Sequence, residues 1–175
     1  AMALAWLSGV TNEELRTAMS TFSGIYRRFN IVYYNPEVVY MDDYAHHPSE
    51  LKASISSIRQ LYADRKITGI FQPHLYSRTR DFAPELAEAL AELDELILLD
   101  IYPARELPIE GVTSELIMKD VSIPDKTLTS KENLLILLDQ KELDVLVTFG
   151  AGDIDKMVPE IKKYLKERFG NNSEK

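Results

Sequence analysis

The chain contains no cysteine, which removes disulfides, thiolate nucleophiles and thiolate-bound metals together and fits a cytoplasmic setting. Histidine is scarce: His46, His47 and His74 are the only three. None has the spacing of a helical HxxxH pair, so a structural metal site is not expected. No apolar run approaches the roughly 20 residues a membrane span needs. The opening AMALAWLSGV lacks the basic flank of a secretory signal and reads as the inside of a helix, as if cut from something longer. The phosphate-cradling pattern GxxxxGK[ST] does not occur. Basic excess is missing too. A formal charge of −8 and a pI near 4.9 argue against nucleic acid or an anionic membrane as partner.

What is present is globular: 45% apolar and 27% charged residues over 175 positions. That suits one domain plus a short extra piece, with a core large enough to hold without staples. Residues 1–7 are strong helix formers stopped by Gly9, and Thr11-x-x-Glu14 is a capping box for a second helix that Ser23-Gly24 ends. This segment cannot bury its apolar side alone. Two strands around the turn pair Asn35-Pro36 follow, at residues 29–34 and 37–41. Helical spacing of Leu51, Ile55, Ile58 and Leu61 predicts a helix over 49–62, and Ile67 opens a strand to Phe71. A further helix carries Phe82, Leu86, Ala89, Leu90 and Leu93, before an apolar strand at 96–99 and a long loop. A short helix near 114–119, an edge strand at 121–123, and a helix capped by Thr129-x-x-Glu132 are expected next. The strand 145–149, a helix to about Phe169 and the polar tail GNNSEK close the chain. The alternation predicts a Rossmann-like, doubly wound α/β fold: a mostly parallel sheet with helices on both faces.

Three post-strand segments carry the chemistry-bearing side chains. In MDDYAHHPSEL, residues 41–51, Asp42 and Asp43 stand where strand meets loop. There a carboxylate can accept from ribose hydroxyls or help hold Mg²⁺; equally, the pair can be turn polarity ahead of a helix. Adjacent His46 and His47 point in different directions, which favours a substrate-contacting histidine over a shared metal. Arg78 and Arg80 crowd a second loop with His74, Tyr76 and Ser77. A guanidinium there suits a carboxylate or phosphate, and the plainer alternative is a solvated basic loop. Gly150-Ala151-Gly152-Asp153 is a partial dinucleotide fingerprint; its glycines allow close approach to an anion or to another strand.

Taken in order, FSGIYRRF, MDDYAHHPSEL, FQPHLYSRTRDF, IYPARELPIEGVTS and TFGAGDI span residues 22–154 and resemble the C-terminal domain of the Mur ligases. The resemblance implies an ATP-dependent, amide-forming ligase of peptidoglycan precursor synthesis, cytoplasmic, of which this chain is about the last third. Residues 1–28 are then a helical remnant of the central ATP-binding domain with the hinge, and 29–175 the amino-acid-positioning domain. The implied reaction makes an acyl phosphate from ATP and UDP-N-acetylmuramate, which the amine of L-alanine attacks. ATP and Mg²⁺ would be held mainly by the central domain, so the fragment alone is expected to be inactive. By the same resemblance, Arg28 reaches nucleotide phosphates and Asp43 the ribose. Tyr44, His46 and Arg78 surround the amino acid with Arg80 assisting, and His46 is the one candidate for a catalytic role. Leu75 stands where some relatives have an arginine. The alternatives are a family member that attaches a whole peptide, a receiver-like signalling module phosphorylated at Asp100, and a non-catalytic partner-binding domain.

Overall fold

The computed structural model of the protein describes residues 2–22 and 24–171. The expected helix start at Ala1, the stop at Ser23 and the tail residues 172–175 lie outside the described residues. Strand β1 (Asn30–Tyr34) and strand β2 (Val39–Asp43) form an antiparallel hairpin with Asn30 opposite Asp42 and Tyr34 opposite Val39. Its turn is an Asx motif: the Asn35 side-chain oxygen accepts from the backbone N–H of Glu37 at 3.0 Å and of Val38 at 2.6 Å. Strands β3 (Ile67–Phe71), β4 (Glu95–Leu99) and β6 (Val145–Phe149) are buried at every position, as apolar runs covered on both faces must be. With the edge strand β5 (Lys126–Thr129), the sheet runs β1-β2-β6-β3-β4-β5, and every pairing except β1 with β2 is parallel.

Helices cover both faces. On one side α3 (Pro48–Leu61), α4 (Tyr76–Leu90) and α5 (Glu115–Met118) bury Leu51, Ile55, Ile58, Leu86, Leu90 and Ile117. On the other, α6 (Lys131–Asp139) and α7 (Met157–Phe169) bury Leu134, Leu138, Ile161 and Leu165. The chain moves outward from β2 through β3 and β4 to β5, then reverses to insert β6 between β2 and β3. All five parallel strands therefore end at one edge, where ligands of open α/β sheets bind. The first helices, α1 (Met2–Leu7) and α2 (Asn12–Ser20), bury no residue. The Thr11–Glu14 capping box forms as expected, but Leu4, Trp6, Leu7, Phe22, Ile25 and Tyr26 are all exposed. No described helix is long and apolar enough to cross a membrane.

Three expectations move. Arg78 and Arg80 sit in the first turns of α4, not in a loop. The start of α4 carries no side-chain cap of its own, because Leu75 occupies the cap position at φ +72° and Glu106 supplies the acceptor from a distant loop. The edge strand is Lys126–Thr129 instead of 121–123, since buried Val121 packs into the core as irregular chain. Thr129 thus ends a strand paired with Leu99, and the helix cap passes to Ser130.

Candidate functional site

The ends of β2, β3 and β4 bring a row of rings together. The Tyr44 and His46 rings meet edge to face at 5.2 Å, His46 meets His74 at 5.9 Å, and His74 stacks on Tyr102 at 5.7 Å. The backbone fixes this row. Leu75 N–H donates to the Tyr102 carbonyl at 2.9 Å and Tyr102 N–H to the Pro73 carbonyl at 2.8 Å, so the long loop is pinned beside the β3 end. His46 Nδ1 lies 2.8 Å from the Tyr44 carbonyl and 3.4 Å from the Glu50 carboxylate, both acceptors, so Nδ1 carries a proton. His47, by contrast, turns away to cap α3: its Nδ1 accepts from Ser49 N–H at 3.4 Å, and its ring abuts Phe82.

Arg78, in the first turn of α4, lies close enough to His74 to act on its charge. Burial, the Arg78 guanidinium and the His46 ring hold His74 below its ordinary value, with Glu106 opposing them. Among the described residues, two buried side-chain nitrogens have no hydrogen-bond partner: His74 Nδ1 and Arg78 Nη1. Buried polar atoms are nearly always paired, so each of these two suits a water or a small-molecule ligand as partner. A guanidinium N–H and a ring nitrogen able to accept form the complement of a carboxylate beside an amine. Arg80, 200° further around the helix by its two-residue step, is exposed and pairs with Asp81 at 2.7 Å. The structure does not bring it into the row.

A second region opens beside the first. Arg28, Asp43, Glu50 and Ser54 line a shallow cavity of about 360 Å³. Asp43 accepts from Phe29 N–H at 3.0 Å, Ala45 N–H at 2.8 Å and Ser54 Oγ at 3.1 Å. A carboxylate offers about four acceptor positions, so one remains for a ligand hydroxyl, with the exposed Arg28 beside it. Asp42 has a different fate. It is fully buried, accepts from Thr148 Oγ1 at 2.8 Å and from Arg27 Nε at 3.1 Å, and burial pushes its pKa up against those two partners. Only the second aspartate is free to touch a ligand.

The glycines serve packing. A Cβ on Gly150, whose φ is +143°, would lie 2.8 Å from the Gln72 carbonyl; one on Gly152 would lie 2.7 Å from Tyr102 Cβ. Close approach of a neighbouring segment is one of the two uses that glycine allows. Asp153 bonds Gln72 Nε2 at 2.9 Å and Lys131 Nζ at 2.5 Å, which ties the β6 loop to the end of β3 and the start of α6. No group of three or more His, Cys, Asp or Glu among the described residues could hold a metal ion. Sequence reading passed over Arg27, Glu106 and Tyr102 as site residues. Arg27 had a signal, the double arginine; Glu106 and Tyr102 sit in an irregular loop whose contacts no periodicity reveals.

Against known proteins, residues 27–152 match the family model described as Mur ligase, glutamate ligase domain. UDP-N-acetylmuramate--L-alanine ligase of Parabacteroides distasonis is 56% identical over 165 residues, 94% of this chain and 36% of that protein. The protein of the same name from Phocaeicola vulgatus is 53% identical over 169 residues, 96% of this chain and 37% of its own length. The chain thus spans little more than a third of these curated relatives. The crystal structure of UDP-N-acetylmuramate-alanine ligase from Thermotoga maritima superposes with a TM-score of 0.75 at 25% identity, over 95% of this chain and 36% of that one.

Proposed function

This chain belongs to the Mur ligase family, and from that membership we propose that it is the amino-acid-positioning domain of a ligase joining L-alanine to UDP-N-acetylmuramate. The observation that carries the reading is the unpartnered pair His74 Nδ1 and Arg78 Nη1 at the end of the Tyr44–His46–His74 row. Arg78 receives the α-carboxylate of the amino acid, and Tyr44 and His46 wall the space around it. Two relatives at 53–56% identity carry the name of an alanine ligase, which favours a free amino acid over a peptide as acceptor.

In the reaction, the muramoyl carboxylate takes a phosphoryl group from ATP, and the alanine amine then attacks the acyl carbon. The amide forms, phosphate leaves and the amine gives up a proton, for which His46 is the one candidate in the row. What this domain contributes is orientation, which replaces an encounter of two molecules in solution by a fixed approach. Arg28 faces the nucleotide phosphates, and the free acceptor position of Asp43 the ribose. Mg²⁺ would offset the phosphate charge.

The exposed apolar sides of α1 and α2 support assigning residues 1–28 to a central ATP-binding domain and hinge, and residues 29–175 to this domain. A cytoplasmic setting follows from those substrates. The test is an ADP-release assay. The complete ligase should turn over with UDP-N-acetylmuramate and L-alanine and this chain alone should not; a complete ligase that accepts only peptides overturns the reading.

A further inference from the structure

Arg27 and Arg28 are neighbours in sequence and opposites in placement: Arg27 is 7% exposed and Arg28 lies at the surface. The backbone makes the difference. Arg27 has φ +57° and Phe29 φ +52°, a left-handed conformation that residues with a side chain adopt at a cost and that persists where the surroundings over-determine it. Four contacts over-determine Arg27. Its Nε donates to Asp42 at 3.1 Å, its Nη2 donates to the Gly150 carbonyl at 2.6 Å, and its Nη1 lies 3.8 Å from Asp155. Its own carbonyl accepts from Tyr44 N–H at 2.7 Å. On top of these, the Tyr44 ring lies over the guanidinium, 5.1 Å from Cζ to centroid.

We infer that Arg27 is a positioning residue for the amino acid: it clamps Tyr44 by ring and backbone to the ends of β2 and β6. Hinge segment and amino-acid wall then form one rigid piece. The inference rests on the proposed role of Tyr44. A buried ion pair serving stability alone would need only Asp42 and Arg27; it gives no reason for the same guanidinium to lie under an exposed tyrosine or for the same residue's carbonyl to hold that tyrosine's N–H. The planar fork matters because it lies over the ring while its N–H groups donate to Asp42 and Gly150, a division an ammonium cannot copy.

The test is a pair of cycles in the complete ligase, with Arg27→Met, Arg27→Lys, Tyr44→Leu and the Arg27–Tyr44 double variants. Each Arg27 change should raise KM for L-alanine about tenfold while KM for ATP stays within about twofold, and the double variants should be no worse than the larger single effect. Arg27→Lys keeps the charge, so it carries the comparison if Arg27→Met folds poorly. Melting temperatures that fall while alanine KM stays level in both Arg27 variants overturn the inference and leave the cleft assignment standing. Multiplying effects of Arg27 and Tyr44 also overturn it. An unchanged alanine KM in Tyr44→Leu overturns the cleft assignment and the inference together.

Discussion

Ser77 donates both its backbone N–H, at 2.9 Å, and its hydroxyl to the carboxylate of Glu106, 29 residues further along the chain. That one side chain caps α4, fastens the loop bearing Tyr102 and stands near His74. It is therefore the link between the placement of Arg78 and the stacking partner of His74.

The two bonds from Ser77 hold the Glu106 carboxyl below its ordinary value of 4.5. A carboxylate lowered in the folded state contributes stability in full above that ordinary value and loses it as pH falls through the folded one. Glu106→Gln should therefore be less stable than the parent near pH 7, and the gap should close in acid. Urea midpoints at pH 7 and pH 3 check this; a gap that does not narrow contradicts the link.

His74 should titrate below its ordinary 6.5, because burial, Arg78 and His46 all disfavour its charged form. The unfolded chain then binds the extra proton, so this group costs the fold stability as pH drops below 6.5. The histidine ring signals in NMR report the site directly. Arg78→Met should move the His74 titration upward, and no movement would separate the two side chains.

Gly152→Ala should destabilise the chain by about 1–3 kcal/mol, because overpacking forces its neighbours to shift. Its Cβ would meet Gln72 Oε1 at 2.5 Å and Tyr102 Cβ at 2.7 Å. At this chain length the melting temperature should drop by about 2–4 °C for each kcal/mol lost. The Tyr102 ring should also leave His74, visible as a changed ring-current shift on the histidine signals.

Much of this architecture was legible in the residues. The run from Ile67 to Phe71 and that from Val145 to Phe149 are strands at the expected limits, because burial on both faces selects mostly apolar side chains, with Thr68 and Thr148 as the buried polar positions. The placement of the Tyr44–His46 loop was legible too, since a strand end followed by a helix start puts it at the carboxyl edge of the parallel strands. The start of α4 was not. Its polar first turns, YSRTR, show no apolar period, Leu75 is a poor cap, and the true cap lies 29 residues away in Glu106. The swap at β5 has a similar cause: KTLT pairs by its backbone at an edge and buries little, while the more apolar Val121 fills the core without joining the sheet. The different fates of Asp42 and Asp43 were not legible, since strand alternation says that they face opposite sides but not which side holds Arg27 and Thr148.

The KM for L-alanine of the complete ligase carrying Arg78→Met is the most direct measure of whether this cleft holds the amino acid. Losing a charge-assisted bond to the carboxylate should raise it by about ten- to a hundredfold, with KM for ATP within about twofold. An alanine KM equal to that of the parent enzyme would contradict the account.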